Sequence, residues 1–302
     1  MKIAWHLVLL TTIFLSCSGE KKLTQIQGET MGTYYKVTLY TDEKESDLKA
    51  DIDKFLKLYN KVFSTYIKDS EISKLNSSSF DKVKISDSLK KVIELSMDIS
   101  AKSRGHFDIT VGPLVNLWGF GPEGKQKEPS DQQIKAVLKS TGYEKLKLDD
   151  NYLNRPQGMY LDLSAIAKGH GVDELVKFLE FRGYSNLIVE IGGELRARGK
   201  KADDSNWRIG IEGASEKLGS TIVKVLKLDN LAMATSGSYR NYLKYGDKVF
   251  QHTIDPHTGK PVKHETISVS VISEYCADAD AWATALMSMG VIEGLKIANE
   301  LD

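Results

Sequence analysis

Hydrophobic and polar residues follow two periods along this chain, one typical of strands and one typical of helices. They alternate from Met31 to Tyr40, which predicts a strand that buries Tyr35, Val37 and Leu39 on one face. Shorter strand signals occur at residues 160–163, 187–191, 208–211, 221–228 and 267–272. Apolar residues three or four apart predict helices at residues 48–63, 85–103 and 131–140, and one more that ends at 181. These signals are interleaved without a repeat or clear linker, so we predict one α+β domain of mixed sheets packed with helices.

The first residues form a separate segment that resembles a bacterial lipoprotein signal. Lys2 precedes an apolar run, residues 3–15, which is too short to span a bilayer but suits a signal-peptide core. The run ends just before Cys17, where a lipoprotein signal is cleaved and the cysteine is lipidated. We therefore predict a signal peptide at residues 1–16, lipidation of Cys17, a tether at 17–27 and a folded domain at 28–302. A plain secretory signal is the alternative, because Phe14 stands where an aliphatic residue is usual.

The composition is that of a folded protein without a strong electrostatic field. Of 302 residues, 41% are hydrophobic and 27% are charged, and 41 Lys and Arg balance 41 Asp and Glu. Such a balance attracts neither nucleic acid nor anionic lipid, so no nucleic-acid partner is expected. Cys276 is the only cysteine besides Cys17, so lipidation of Cys17 leaves no disulfide to stabilise the fold.

The stretch Ala277–Leu286 places two aspartates and a threonine within an alanine-rich helix signal. Asp280 and Thr284 stand four residues apart and therefore share one face of a helix, whereas Asp278 lies about 200° from Asp280. A carboxylate stacked on a hydroxyl suits a hard cation such as Mg²⁺. A helix cap followed by an ordinary polar edge is the alternative.

Two other segments favour the binding of an anion. In residues 162–171, Ser164 is placed to cap a helix, Lys168 adds a positive charge, and Gly169 and Gly171 permit close approach of a ligand or a neighbouring backbone. Residues 234–238 gather three hydroxyls around a glycine, as in an anion-binding turn or a helix cap. A capped helix with glycines for tight packing is the alternative for the first segment.

Residues 252–261 are typical of a turn, with Asp before Pro and Gly before Lys-Pro. His252 at its entrance is a candidate general base. His252 and His257 lack the spacing of helical metal ligands, but with His264 nearby a zinc site is an alternative. Residues 119–124 match G-x-G-x-x-G, yet they contain a proline and run into a charged loop, so we reject a dinucleotide-binding site there.

Taken together, the motifs resemble the ApbE-type FAD:protein FMN transferases. The resemblance covers residues 28–290 and is carried by ordered segments at residues 30–33, 107–121, 162–169, 191–193, 235–237, 252–256 and 279–286. It implies a T-fold-related α+β domain, FAD as donor substrate, and Mg²⁺. The implied activity moves FMN from FAD onto a Thr or Ser hydroxyl of an exported or membrane protein and releases AMP.

The resemblance also implies a set of site residues. The metal would be held by the carbonyl of Ala165 and the side chains of Asp280 and Thr284. His252 is the candidate for accepting the proton of the acceptor hydroxyl, with Asp255 as its orienter. The implied FAD contacts are Met31, Tyr66, His106, Phe107, Asp108, Asp162, Lys168 and Ile254.

The chain departs from the family pattern at two places, and two other functions are alternatives. Some relatives have an acidic residue where this chain has Ala283, and relatives usually continue past Leu301 into a further strand, so we expect a truncated C-terminal end. An FAD pyrophosphatase that uses water instead of the acceptor hydroxyl is the first alternative function. A non-catalytic flavin-binding lipoprotein is the second.

The expected partner is an acceptor protein with an Asp-x-x-(Ser/Thr)-Gly-Ala-Thr motif, for example a subunit of a membrane redox complex. The expected location is the bacterial cell envelope, on the periplasmic side, with a lipid anchor at Cys17.

Overall fold

A computed structural model describes residues 21–122, 128–213, 222–238 and 242–301 of the chain. Strands and helices alternate along it, as the two hydrophobic periods predict. The strands are β1 (Lys22–Thr30), β2 (Thr33–Thr41), β3 (Lys82–Lys84), β4 (Lys147–Asp149), β5 (Tyr152–Asn154), β6 (Leu187–Ile191), β7 (Glu194–Arg198), β8 (Trp207–Glu212), β9 (Ile222–Leu228), β10 (Ala232–Gly237), β11 (Tyr242–Tyr245), β12 (Lys248–Gln251), β13 (Ile254–Asp255), β14 (Lys260–Pro261) and β15 (Ser268–Ser273). The helices are α1 (Glu45–Phe63), α2 (Glu71–Ser77), α3 (Asp87–Lys102), α4 (Gly112–Trp118), α5 (Asp131–Leu138), α6 (Ala167–Phe181) and α7 (Cys276–Glu300).

The centre of the fold is a six-stranded antiparallel sheet in the order β1-β2-β6-β7-β10-β15. The predicted alternation of β2 is confirmed, because Tyr35, Val37 and Leu39 are all fully buried on one face. That face packs against apolar residues of α1 and α6, such as Ile52 and Leu175. The opposite face packs against the β8–β9 hairpin. Helices therefore cover one face of the sheet, and the hairpin covers the other face mainly over β6, β7 and β10.

A second hydrophobic core lies between α1, α3 and α7. On α7, Ala277, Ala281 and Ala285 are buried in this core, while Cys276 of the same helix belongs to the core under the central sheet. Small side chains let α7 approach its neighbours closely, so it can pack between the two cores. The helix is broken at Gly290, whose φ is +74°.

Several sequence predictions of local structure are confirmed. Helices predicted at residues 48–63 and 85–103 correspond to α1 and α3, and the predicted strand 187–191 is β6. Ser130 begins α5 with a capping box, in which it pairs with Gln133. Gly119 ends α4 in a left-handed conformation instead of following a strand, which agrees with rejecting a dinucleotide-binding motif there.

Other predictions of local structure are wrong. The tether predicted at residues 17–27 is too long, because β1 begins at Lys22 and pairs with β2. Residues 160–163 alternate correctly but form no strand, since the backbone of Leu161 bonds to the side chain of Asn76 instead of a neighbouring strand. Residues 232–237, part of which suggests an anion-binding turn or helix cap, form β10.

The predicted signal peptide, residues 1–16, and Cys17 lie outside the described residues. Within the described ranges, no helix has both the length and the hydrophobicity needed to cross a membrane.

Candidate active site

A cleft of about 1690 Å³ gathers nearly all of the predicted site residues. It lies where the ends of the central strands meet α6, α7 and the loops that follow α1 and α3. The predicted residues that line it are Met31, Tyr66, His106, Phe107, Asp108, Asp162, Ala165, Lys168, His252, Ile254, Asp280 and Thr284. Among the described residues, Asp255 is the one predicted site residue outside this lining. Segments far apart in sequence therefore form one site.

Asp280 is held at the bottom of the cleft by the start of α6. It is 3% exposed, and its Oδ2 accepts a hydrogen bond from the backbone N–H of Gly169 at 2.9 Å. A Cβ on Gly169 would stand 2.3 Å from the carbonyl oxygen of Cys276, so only glycine permits this approach of α6 to α7. The predicted role of Gly169 in close backbone packing is therefore confirmed.

Lys168 lies between two buried carboxylates. Its Nζ is 3.1 Å from Oε1 of Glu194 and 4.0 Å from Oδ1 of Asp280. Burial alone would lower the pKa of Lys168, but the charges of Asp280 and Glu194 outweigh it and raise this pKa above its ordinary value. The ammonium therefore remains charged and faces the cleft, where an anionic ligand can reach it.

Glu194 is a site residue that the sequence patterns did not identify. It begins β7 directly after Gly192 and Gly193, and it is 4% exposed. Burial raises its pKa to about 7, with a further contribution from the charge of Asp280. Its Oε2 is buried without a hydrogen-bond partner among the described residues. A charged residue opening a buried strand after two glycines was the available signal in the sequence.

The donor atoms near Asp280 fit a hard cation. Oδ1 of Asp280 faces the cleft, and Thr284 lies one turn further along α7, with its hydroxyl 3.2 Å from that of Ser236. Ala165 lines the same cleft through the loop before α6. Carboxylate, hydroxyl and carbonyl oxygens are the ligand types that Mg²⁺ prefers. Asp280 and Thr284 therefore lie on the same face of α7, and their role as metal ligands stays a prediction.

A buried ion pair fixes the end of α7 that carries Asp280. Asp173 of α6 accepts hydrogen bonds from the backbone N–H groups of Cys276 and Ala277, at 3.0 and 2.9 Å. It also pairs with Arg196 of β7 at 2.8 Å. Asp173 therefore caps α7 from a neighbouring helix, which the sequence did not reveal because a single helical aspartate usually lies on the surface.

The backbone conformation of Met31 and local hydrogen bonds of Asp108 and Asp162 hold these predicted flavin contacts in place. Met31 forms the tip of the β1–β2 hairpin with φ of +50°, an unfavourable conformation for a bulky residue that is typical of functional sites. The carboxylate of Asp108 accepts hydrogen bonds from Thr110 and the backbone of Tyr143. Asp162 accepts both hydrogen bonds of Ser164, so Ser164 does not cap α6 as predicted.

His252 and Asp255 occupy different positions relative to the cleft. His252 lines the cleft, with its ring 6.4 Å from that of Phe120. The carboxylate of Asp255 contacts its own turn, where it accepts hydrogen bonds from the backbone of His257 and the hydroxyl of Thr258. Asp255 therefore holds the turn that follows His252, and its role as an orienter of His252 stays a prediction.

Among the described residues, His252, His257 and His264 do not come together as the zinc site that the sequence left open. Nε2 of His264 bonds to the carbonyl oxygen of Met287 at 2.7 Å. Within the described ranges, neither His252 nor His264 belongs to a cluster of metal-ligating side chains.

Comparisons with known proteins agree with this site and fold. Residues 31–302 match the model of the ApbE family. The FAD:protein FMN transferase of Vibrio cholerae is 39% identical, over 97% of this chain and 90% of that protein. The one from Haemophilus influenzae is 37% identical, over 97% and 88%.

Solved structures show the same relationship. The flavin transferase ApbE from Vibrio cholerae superimposes with a TM-score of 0.84 at 37% identity, covering 93% of this chain and 91% of that chain. The Pseudomonas stutzeri flavinyl transferase ApbE gives 0.84 at 34% identity, covering 94% and 91%. The chain therefore belongs to the ApbE family. The resemblance and the α+β fold class predicted from the sequence are confirmed.

Proposed function

We propose that this protein transfers FMN from FAD to a Thr or Ser hydroxyl of an exported or membrane protein and releases AMP. The observation that carries the proposal is one cleft whose lining includes Asp280, Thr284, Lys168 and His252. A cation site and a lysine suit a pyrophosphate, and a histidine suits a hydroxyl nucleophile. Relatives that cover nearly the whole chain are named FAD:protein FMN transferases.

Different residues of the cleft would bind different parts of FAD. Lys168 would contact the pyrophosphate, and Met31 and the exposed ring of Tyr66 offer surface for the ring system, while Phe107 packs in the core behind the cleft. Asp280, Thr284 and the carbonyl of Ala165 would hold Mg²⁺. When bound, this ion neutralises negative charge on the pyrophosphate and on the departing phosphate.

The transfer step needs one proton acceptor and one leaving group. His252 takes the proton from the acceptor hydroxyl, and the hydroxyl oxygen forms a bond to the phosphorus of the FMN half. The anhydride P–O bond then breaks, and its electron pair leaves with AMP. Asp255 supports this step through the turn, which keeps Ile254 and His252 at the cleft. Lys168 remains charged and stabilises the negative charge that develops.

The proposed location of the enzyme rests on the sequence of the N-terminal segment. Cys17 would carry a lipid anchor in the bacterial cell envelope, with the domain on the periplasmic side. An acceptor that is part of a membrane redox complex would then lie at the same surface. Strand β1 begins at Lys22, so only a short segment separates Cys17 from the folded domain.

A reconstituted reaction tests the proposal. The protein is incubated with FAD, Mg²⁺ and an acceptor that contains Asp-x-x-(Ser/Thr)-Gly-Ala-Thr, and products are measured by mass spectrometry and chromatography. The proposal predicts an acceptor heavier by one FMN and one AMP for each modified acceptor. Free FMN and AMP with an unmodified acceptor would instead identify an FAD pyrophosphatase. Binding of FAD without any product would identify a flavin-binding protein.

A further inference from the structure

A second group of metal-ligating side chains lies beside the cleft. His106, Asp255 and His257 bring one ligand atom each to within 4.8 Å of the others. The rings of His106 and His257 meet edge to face, with their centroids 4.5 Å apart. His106 lines the cleft, whereas Asp255 and His257 do not. The group therefore shares no residue with the pair Asp280 and Thr284.

The hydrogen bonds of His257 leave one of its ring atoms facing a negative charge. Nε2 lies 3.0 Å from the carbonyl oxygen of Arg104, which can only accept, so Nε2 carries a proton. Nδ1 lies 3.3 Å from Oδ1 of Asp255. A neutral imidazole has a single N–H, so the lone pair of Nδ1 then faces a carboxylate oxygen. A metal ion or a second proton between these two atoms would remove the repulsion.

The separation of one pair of these atoms fits a tetrahedral metal ion, and the ligand atom of His106, within 4.8 Å of the others, would move closer when the ion binds. Two ligands with bonds of about 2.0–2.1 Å to Zn²⁺ stand roughly 3.4 Å apart, and Nδ1 of His257 and Oδ1 of Asp255 already have this separation. The carbonyl of Arg104 orients the His257 ring, as outer-shell acceptors do for metal-bound histidines. The His257 side chain is 49% exposed, so an ion can reach the group from solvent.

Nearby charges also favour a cation. Glu293 of α7 lies beside His106, with its Oε2 3.5 Å from Nε2 of the ring. The two neighbouring cations are paired elsewhere, since Arg104 bonds to Glu300 and Lys260 bonds to Asp131, both at 2.7 Å. Burial lowers the pKa of His106, which favours the neutral form that can bind a metal.

We infer that His106, Asp255 and His257 form a binding site for a divalent transition metal, with Zn²⁺ as the ion that best suits two imidazoles and one carboxylate. A water molecule would complete the four ligands. The ion would connect the turn after β13 to the loop that precedes Phe107, so it would stiffen one wall of the cleft. His106 is also a predicted FAD contact and Asp255 belongs to the turn that follows His252, so zinc binding is measured without FAD and is tested separately from the proposed transfer reaction.

Zinc binding to the full-length chain, free of affinity tags, tests the inference. Zn²⁺ is titrated in competition with a chromophoric chelator, in excess Mg²⁺ that occupies the Asp280 site. Wild type should bind about one Zn²⁺ per chain, and His257→Asn should bind it at least about 100-fold more weakly, since loss of an outer-shell group alone costs about 10–100-fold. Co²⁺ in place of Zn²⁺ should give the intense visible absorption of a tetrahedral site in wild type but not in His257→Asn.

Two controls keep the result interpretable. His264→Gln removes a histidine that bonds to Met287, outside the group, and should bind Zn²⁺ as wild type does. FAD turnover with Mg²⁺ should persist in His257→Asn, which shows that the variant is folded. Equal zinc affinity of wild type and His257→Asn would overturn the inference. The absence of zinc binding by wild type would also overturn it.

Discussion

The backbone N–H of Gly169 donates a hydrogen bond to Oδ2 of Asp280, at 2.9 Å, and so joins the first turn of α6 to the face of α7 that carries Asp280 and Thr284, the proposed cation ligands. This contact occupies one oxygen of Asp280 and leaves the other toward Lys168 and the cleft. The orientation of Asp280 therefore depends on how closely α6 and α7 approach each other.

Replacing Gly169 with alanine should disturb both stability and cation binding. The added Cβ would stand 2.3 Å from the carbonyl oxygen of Cys276 and 2.7 Å from Cβ of Asp280, so the helices must move apart. We expect a loss of about 1–3 kcal/mol in the free energy of unfolding and a higher Mg²⁺ requirement for transfer. Chemical denaturation and a Mg²⁺ titration measure the two effects.

Gly294→Ala is the matched control, because it also concerns α7 but its nearest contact is Cδ2 of Leu286 at 3.3 Å, and the backbone oxygen of Leu286 lies at an ordinary 3.6 Å. It should leave the Mg²⁺ requirement unchanged. Wild-type stability and Mg²⁺ requirement in Gly169→Ala would show that the contact between Gly169 and Asp280 does not position the carboxylate.

Glu194 should make the stability of the protein depend on pH. Because burial raises its pKa from 4.5 to about 7, the folded state favours the protonated form. The stabilisation from this group is complete below pH 4.5 and is lost as the pH rises through about 7. The free energy of unfolding of wild type, minus that of Glu194→Gln, should therefore fall between pH 5 and pH 8, by at most about 1.4 kcal/mol per pH unit. If the difference in free energy of unfolding between wild type and Glu194→Gln stays constant across this pH range, the raised pKa of Glu194 is contradicted.

His252 should affect the chemical step more than the binding of FAD. General-base catalysis contributes about 10²–10⁴-fold in rate, so His252→Ala should lose turnover by that factor while its FAD affinity changes little. Rapid-mixing assays of transfer and fluorescence titration of FAD measure the two quantities. His264→Ala, outside the cleft, should lose stability but keep its turnover. Unchanged turnover in a folded His252→Ala variant would remove His252 from the mechanism.

Much of the fold could be predicted from the sequence, but the environment of Asp280 could not. The alternation in β2 and the spacing in α1 are strong signals, because each of these elements buries one complete face. The sequence predicts a tether where β1 begins, because β1 lies at the edge of the sheet and buries only Ile26 and Thr30.

The residues around the cation site depend on contacts between distant segments. Glu194 and Asp173 reach Lys168 and α7 only after the sheet and helices have packed, so no local period marks them. The resemblance to the family located Asp280 and Thr284, since that pair lies within one helical turn. The resemblance gave no information about Glu194, the neighbouring carboxylate that also pairs with Lys168.

Cys17 should determine whether the protein is bound to a membrane. The apolar core of the predicted signal ends directly before this cysteine, and lipidation would anchor the mature chain. Cys17→Ser should move the protein from the membrane fraction to the soluble fraction when cells are fractionated. Cys276→Ser is the control, because Cys276 is buried within the domain and should leave the distribution unchanged. Retention of Cys17→Ser in the membrane fraction would contradict the lipid anchor.

The most direct test of the proposed function compares two aspartates of one helix. Asp280 is buried in the cleft beside Lys168, whereas Asp278 is half-buried outside the cleft lining, near Asp98 and Lys102 of α3. Asp280→Asn keeps the shape of the side chain but removes the charge that a hard cation prefers.

The measurement is FMN transfer titrated against Mg²⁺ for Asp280→Asn and Asp278→Asn side by side. We predict that Asp280→Asn needs at least about tenfold more Mg²⁺ and turns over far more slowly, while Asp278→Asn behaves as wild type. Equal losses in the two variants, or a normal Mg²⁺ requirement in Asp280→Asn, would show that the cation does not bind on this face of α7.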